Sequence, residues 1–216
     1  EIAEVANEFD HAVTMIRELL HSRQLFLRAI MHELKTPIAK GRLVSEMLDD
    51  EKNKARMHSI FERLNLLIDE FAKIEKITSK NFDLTIKPYK MSDLLEASED
   101  MLMIENPKRL ITTEMKKEYS KDVDFELFTL VVKNLLDNGI KYSTDKHITV
   151  IIDDDKLKVI NKGEELKEPL ENYFKPFHTS KKGLGLGLYI VKSILDIHHM
   201  ELYYQHEDGK NIFTVV

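Results

Sequence analysis

Cysteine is absent from the 216 residues, which excludes a disulfide framework and any thiolate metal site and suits a reducing compartment. Glycine and proline are scarce, at seven and five, and the first 80 residues hold one of each, Gly41 and Pro37, so little there interrupts a long helix. No stretch approaches the roughly 20 consecutive apolar residues of a membrane span. A basic excess is also missing: the net charge of -6 excludes a broad nucleic-acid footprint, and no nucleic-acid partner is expected. The first residue, Glu1, brings neither an initiator methionine nor a signal peptide, so the chain reads as part of a longer protein. What is present is 43% hydrophobic and 32% charged residues, a globular balance at a length that suits two domains.

The apolar residues of the first half recur at steps of three and four. Val13, Ile16, Leu20, Leu27, Ile30 and Leu34 share one seven-residue register with Arg23 as its polar member, and Ile60, Leu64, Leu67, Phe71 and Ile74 form a second stripe. Two long helices are predicted, turned back on each other at the charged break from Asp49 to Lys54. Such a hairpin covers its seams either against a second copy, as a dimeric four-helix bundle, or against another part of the same chain. From Phe82 onward strand and helix signals mix. FDLTIKPY alternates, SDLLEASEDMLMI is helical, ITTEM is a short strand, and a helix runs from about Asp124 to Tyr142. Two hairpins turn at Asp154–Asp155 and Asp208–Gly209, and a last helix spans about Leu184 to His199. The end of the heptad pattern, with Pro88 beyond it, puts a boundary between residues 80 and 88.

His32 lies in FLRAIMHELKTPIAKGRL, two residues after the seam position Ile30 and therefore about 200° around the helix from it, which predicts a solvent-facing ring. Thr36 shares the histidine's face one turn on, and Pro37 removes the hydrogen bond to the Glu33 carbonyl. An exposed neutral imidazole beside a carboxylate is a competent nucleophile, because the carboxylate of Glu33 can hold one ring N–H and leave the other nitrogen's lone pair free. A zinc-protease reading of HELKT fails, since Thr36 stands where the second histidine is needed.

Further on, Leu127, Val131, Asn134, Asn138 and Lys141 follow at steps of four, three, four and three on one helical face that begins apolar and turns to carboxamide and amine. Covered amides need protein, water or ligand partners, and two carboxamides one turn apart suit a hydrated Mg²⁺ with phosphate oxygens. KVINKGEEL carries Asn161 and Gly163 between strands. YFKPFHTSKKGLGLGLYIVKSI joins Phe174 and Phe177 to Gly183, Gly185 and Gly187 at the mouth of a helix, where backbone N–H groups bind phosphate. The spacing matches neither G-x-x-x-x-G-K nor G-x-G-x-x-G.

HELKTP closely resembles the H box of sensor histidine kinases, KNLLDNGIKYS their N box, and YFKPFHTSKKGLGLGL their F box and second glycine box. KVINKGEEL stands where the family keeps its first glycine box, with Asn161 in place of the usual Asp. The four boxes occur in the family's order and cover about residues 20 to 216. The resemblance implies an antiparallel helical hairpin forming a dimeric four-helix bundle, followed by an α/β sandwich ATP-binding domain of the kind shared with Hsp90, gyrase and MutL. It implies the end of a HAMP or signalling helix at 1–22, a dimerisation and phosphotransfer domain at 23–82 and a catalytic domain at 83–216, swinging on the linker near residue 80.

By the same resemblance His32 is the phosphoacceptor, Glu33 its general base and Thr36 the residue that positions water when the phosphorylated partner is dephosphorylated. Asn138 is the Mg²⁺ ligand with Asn134 beside it; Lys141, Tyr142, Lys181 and Lys182 lie near the nucleotide and its phosphates. Asn161, Gly163, Phe174, Phe177, Gly183, Gly185 and Gly187 complete the ATP site. ATP and Mg²⁺ are the implied cofactors. A second copy and a response regulator receiver domain are the implied partners. The chain is then the cytoplasmic portion of a bacterial inner-membrane sensor, touching the membrane only through an upstream region. The Asn161 box and short lid resemble the ArsS-like acid-responsive members. Asn161 also motivates a rival, a degenerate signalling module that only binds or dephosphorylates its partner; a gyrase-type ATPase without phosphotransfer is disfavoured by HELKTP.

Overall fold

A computed structural model describes residues 2–47, 50–78, 84–102, 104, 107–176, 178 and 185–216. The chain divides into two compact units, Glu1–Phe82 and Asp83–Val216. The first is a hairpin of α1 (Ile2–Ser45) and α2 (Glu51–Thr78). Helix α1 continues through Pro37. The turn lies earlier than the charge pattern suggests. Asp50 accepts hydrogen bonds from the backbone N–H groups of Lys52 at 2.9 Å and Asn53 at 3.3 Å, so it caps α2, and Glu51 to Lys54 already form that helix's first turn. Glu46 closes the hairpin end, accepting from His58 Nε2 at 2.7 Å and Lys54 Nζ at 3.1 Å.

The seam inside this hairpin is not the stripe read from the heptad. Met31 and Ile38, seven residues apart, are buried against Ile68, Phe61 and Ala72, while Ile16, Ile30, Leu34, Ile60 and Leu64 stay exposed. Both helices therefore carry two apolar faces, and the hairpin covers one. Val13 and Leu27 are half-buried; the side chains of Leu20, Arg23, Leu67, Phe71 and Ile74 lie outside the described residues. Gly41 lets the helices cross closely: a Cβ there would lie 2.5 Å from the Phe61 ring, which would have to move aside.

The second unit is a five-stranded sheet with helices packed on one face. Its strand order is β2 (Ile111–Met115), β4 (Ile148–Asp153), β5 (Lys156–Lys162), β7 (Lys210–Val215), β6 (Leu202–Glu207), with β2 and β4 parallel and the other neighbours antiparallel. Alternating residues of β4, β5 and β7 are buried, as a sheet with one covered face requires. The cover is α3 (Met91–Asp100), α4 (Phe125–Tyr142) and α6 (Gly187–Ile197). The core joins Leu94, Phe128, Val131, Leu135, Ile190 and Ile194 of the helices to Ile148, Val150, Leu157 and Val159 of the sheet. Each such side chain contributes about 1.5–3 kcal/mol by leaving water.

Beside a 3₁₀ turn at Pro107–Arg109, two further elements escaped the sequence pattern. Strand β3 (Ser120–Asp124) pairs with β1 (Ile86–Lys90) as a separate two-stranded sheet in which Pro88 sits opposite Asp122, and α5 (Leu170–Tyr173) is a single turn. Pro88 is tolerated because a two-stranded sheet consists of edges. Helix α3 stops at Asp100, short of the expected helical run; Met101, just beyond it, is exposed, whereas Met91 at its start is fully buried. The hairpin turns fall as expected, with Asp154, Asp155, Asp208 and Gly209 all at positive φ.

Helix α4 is fastened at both ends. Its N-cap, Asp124, accepts from Leu127 N–H at 3.1 Å and Thr85 N–H at 3.1 Å, and its own N–H donates to His198 Nε2 at 3.0 Å. His198 Nδ1 donates in turn to the Ile194 carbonyl at 2.8 Å, so this histidine links the end of α6 to the start of α4. Beyond the C-terminus, Asp145 accepts from the Ser143 hydroxyl at 2.7 Å and His147 N–H at 3.1 Å, and pairs with Lys162 of β5 at 3.2 Å.

Replacing Asp124 by Ala is expected to cost about 1 kcal/mol, the usual worth of an N-cap, seen as a lower urea midpoint with an unchanged slope. The Ser143 hydroxyl, the His147 N–H and the Lys162 ammonium hold the Asp145 carboxyl down at about 2 against an ordinary 3.8. A depressed folded value means that its contribution is complete above the ordinary value and is lost as pH falls through about 2. Carbon-detected titration of Asp145 is expected to show that low midpoint, and Ser143→Ala is expected to move it upward.

Candidate functional site

The side chains at the C-terminal half of α4 define the site. Burial declines along the face as the polar residues take over: Leu127 and Val131 are buried, Asn134 and Asn138 half-buried, and Lys141 exposed, with its ammonium 5.4 Å from the Tyr142 ring centre. Asn134 Nδ2 donates to the Leu130 carbonyl one turn back at 2.7 Å, which turns its Oδ1 outward. Opposite stands Gly187, the first residue of α6. A Cβ there would lie 3.4 Å from Asn134 Oδ1 and 3.3 and 3.5 Å from the two polar atoms of Asn138. The structure thus brings together three residues that the sequence placed in separate motifs, and the glycine keeps the space before both carboxamides clear. Oxygen donors of neutral amides on successive turns fit a hard divalent cation such as Mg²⁺, which takes oxygen ligands and retains water.

A second cluster lies where α4 ends against the sheet. Asn161 of β5 and Asn211 of β7 are direct register partners, and both are buried, at 3% and 5% exposure. Their Nδ2 atoms lie 3.3 and 2.9 Å from the position a Cβ of Gly163 would take, and the Tyr142 carbonyl oxygen is 3.1 Å from it. Gly163 has no room for a side chain. Its N–H donates to the Gly209 carbonyl at 3.0 Å and its own carbonyl accepts from His206 Nε2 at 3.1 Å. Tyr204 Oη accepts from Leu166 N–H at 2.9 Å and donates to Asn211 Oδ1 at 2.8 Å. Burial pushes the Tyr204 hydroxyl up from its ordinary value, which keeps it protonated and a donor.

The glycine-rich segment is described at its two ends. His178 is half-buried, stacked edge-on against Tyr173 at 5.2 Å and 3.4 Å from Glu168, and Gly185 packs on the His178 backbone. A Cβ at Gly185 would meet the His178 carbonyl oxygen at 2.4 Å, and φ there is +69°, so this position needs glycine on both counts. Phe174 caps α5 with Lys192 Nζ 6.0 Å from its ring centre. Phe177, Lys181, Lys182 and Gly183 lie outside the described residues.

In the first unit His32, Glu33, Thr36 and Pro37 are all exposed on α1, next to the buried Met31. The exposure expected for His32 holds, although the seam beside it is that of Met31 and Ile38 rather than Ile30. Sequence reasoning missed Asn211, Tyr204 and His206. The turn at Asp208–Gly209 was the available signal, because it sets β6 against β7; their pairing with β5 was not readable.

Residues 123–216 match the family described as histidine kinase-, DNA gyrase B- and HSP90-like ATPases. The whole chain is 42% identical to the sensor histidine kinase ArsS of Helicobacter pylori, and 95% of it is 30% identical to the sensor histidine protein kinase HK06 of Streptococcus pneumoniae. It covers 52% and 51% of those proteins and so spans about half the length of the curated relatives it matches. Among solved structures, full-length ShkA in complex with AMPPNP superposes with a TM-score of 0.68 over 88% of this chain and 44% of its own, at 16% identity. The Acinetobacter baumannii histidine kinase AdeS gives 0.62 over 85% of this chain and 95% of its own, at 22% identity. At those identities the likeness is one of fold. By sequence this chain is homologous to sensor histidine kinases over its whole length, and its residues 123–216 match the ATPase family that includes DNA gyrase B and HSP90.

Proposed function

We propose that this chain is the cytoplasmic core of a two-component sensor histidine kinase that phosphorylates its own His32 from ATP and passes the phosphoryl group to an aspartate of a response regulator. The observation that carries the reading is the convergence of Asn134 and Asn138 on the bare face of Gly187, at the mouth of a helix that follows a glycine-rich loop. Carboxamide oxygens, backbone N–H groups and glycines are what a metal-bound triphosphate needs. Asn138 and Asn134 are the residues for Mg²⁺, which supplies neutralisation of phosphate charge. Lys141, Lys181 and Lys182 add positive charge at the phosphates, and Gly183 and Gly185 let the loop backbone approach them. The base lies toward Asn161 and Gly163, with Tyr142, Phe174 and Phe177 around the nucleotide.

His32, on the exposed face of α1, attacks the γ-phosphorus through a ring nitrogen. The N–P bond forms as the bond to the bridging oxygen of ADP breaks, and Glu33 takes up the proton of the other ring nitrogen. Catalysis comes mainly from positioning and charge neutralisation. Thr36, on the same face, orients water for the reverse task of dephosphorylating the regulator. The exposed second face of the hairpin, Ile16, Ile30, Leu34, Ile60 and Leu64, favours a second copy as its cover, giving a four-helix bundle in residues 23–82, with 1–22 entering from a signalling helix and 83–216 as the catalytic domain. The sensor belongs to an upstream membrane region; among the described residues no helix is long and apolar enough to cross a membrane.

Incubation with γ-labelled ATP and Mg²⁺ is expected to yield acid-labile label on the protein that moves to a receiver domain. His32→Gln should reduce it to background while leaving nucleotide binding intact. Equal labelling of parent and variant sinks the assignment. No binding of Mg-ATP at millimolar nucleotide and no label would favour the degenerate module, and steady phosphate release without labelled protein the gyrase-type ATPase.

A further inference from the structure

Helices α4 and α6 run antiparallel and touch at both ends. At one end Gly187 opens α6 before Asn134 and Asn138. At the other, His198, just past the last turn of α6, accepts the backbone N–H of Asp124, the N-cap of α4, at 3.0 Å. The spacings on the two helices agree. Asn134 and Asn138 lie ten and fourteen residues beyond Asp124, about 15 and about 21 Å along the axis at about 1.5 Å per residue. Gly187 lies eleven residues before His198, roughly 16.5 Å. With the far ends fastened, Gly187 therefore comes level with the stretch of α4 that carries the two carboxamides.

The far bond is directional and its parts are held. Only the bare nitrogen of a neutral imidazole can receive an N–H, so Nε2 carries the lone pair and Nδ1 the proton, which goes to the Ile194 carbonyl at 2.8 Å. The ring is half-buried and stands edge-on to the fully buried Phe128 of α4, with ring centres 6.3 Å apart. Asp124 is fixed as well, since its carboxylate accepts from the N–H groups of Leu127 and Thr85. Between the two ends, α6 is seated by the apolar side chains of Ile190, Val191, Ile194 and Leu195. Apolar burial is non-directional and resists sliding along a helix axis less than a hydrogen bond does.

Resting on the reading of the second unit as an ATP-binding domain, we propose that His198 is a positioning residue for the Asn134–Asn138 cation site. By accepting the Asp124 N–H it sets the axial position of α6 against α4, and with it the approach of Gly187 to the two carboxamides. It acts from roughly 16.5 Å away, through the length of α6, and touches neither nucleotide nor metal.

Two substitutions separate this role from ring packing. His198→Gln can place its Oε1 where Nε2 stands and so keep an acceptor for Asp124, whereas His198→Phe keeps a ring against Phe128 and removes the acceptor. In the nucleotide-free full chain, the side-chain amide resonances of Asn134 and Asn138 and the backbone amide resonance of Gly187 are expected to shift in His198→Phe and to keep their parental positions in His198→Gln. With Mg-ATP titrated, the concentration giving half the maximal rate of His32 labelling is expected to rise about fivefold in His198→Phe, the size of one neutral hydrogen bond, with the rate at saturation unchanged and the glutamine variant at the parental value. Unmoved resonances in His198→Phe overturn the proposal, and so does an unmoved half-saturation. Equal changes in the two variants overturn it too, because the ring then acts by packing alone. Should His198→Phe fail to fold, His198→Asn, whose shorter side chain reaches the Ile194 carbonyl but not Asp124, replaces it with the same expectations. A parent that takes no label at any Mg-ATP concentration overturns the kinase reading, and the resonance comparison, which needs no nucleotide, still decides whether His198 sets the position of α6.

Discussion

The closeness with which α4 lies on the sheet is the constraint that the rest of the second unit depends on. At Gly139 the helix meets β4 and β5 so closely that a Cβ would be 3.0 Å from a methyl of Ile148 and 3.4 Å from one of Val159. That contact fixes both the height and the rotation of the helix. With Leu135, Leu136 and Gly139 facing inward, Asn134 and Asn138 come to the helix flank, half-covered, where α6 begins with Gly187. The same contact brings the helix end, through the Tyr142 carbonyl, against Gly163. The two polar clusters are thus two consequences of one packing decision, joined by a rigid helix that Asp124 caps at one end and the Asp145 turn ties to β5 at the other.

Both clusters rely on neutral amides held in place rather than on charge. A carboxylate at position 161, nearly buried, would have to be desolvated, which favours its protonated form unless a ligand or a cation compensates. A carboxamide avoids that penalty but must have its two ends assigned, since donor and acceptor are exchanged by a flip. Here the assignment comes from neighbours: Leu130 for Asn134, the Lys162 carbonyl for Asn161, and Tyr204 for Asn211. Orientation is accordingly a property of the folded surroundings.

The helical hairpin shows a different balance. Each helix has enough apolar residues for two faces, but one partner helix covers one face. Met31, Ile38, Phe61, Ile68 and Ala72 form the internal seam, and the stripe that the heptad pattern picks out, Ile30 and Leu34 with Ile60 and Leu64, faces outward. Periodicity identified the helices and the presence of a seam; it could not say which of two adjacent stripes meets the partner within the chain, because both have spacings compatible with a helix. His32 is exposed under either assignment, since it lies on neither stripe.

What the sequence by itself determined is local. Helices α1, α2 and α4, the two hairpins with their positive-φ turns, the common face of Asn134 and Asn138, and the exposure of His32 follow from residue spacing within a few turns, where propensity and pattern act directly. Strand β3, the partnership of Asn161 with Asn211, the orienting bond from Tyr204 and the approach of Gly187 to α4 were decided only by tertiary structure. These depend on strand register and helix seating between segments far apart in the chain, and register is set by burial of whole strand faces rather than by any residue at the contact. The motifs therefore set the local geometry, and the packing of α4 on the sheet determined which residues from outside them lie beside Asn161 and Gly163.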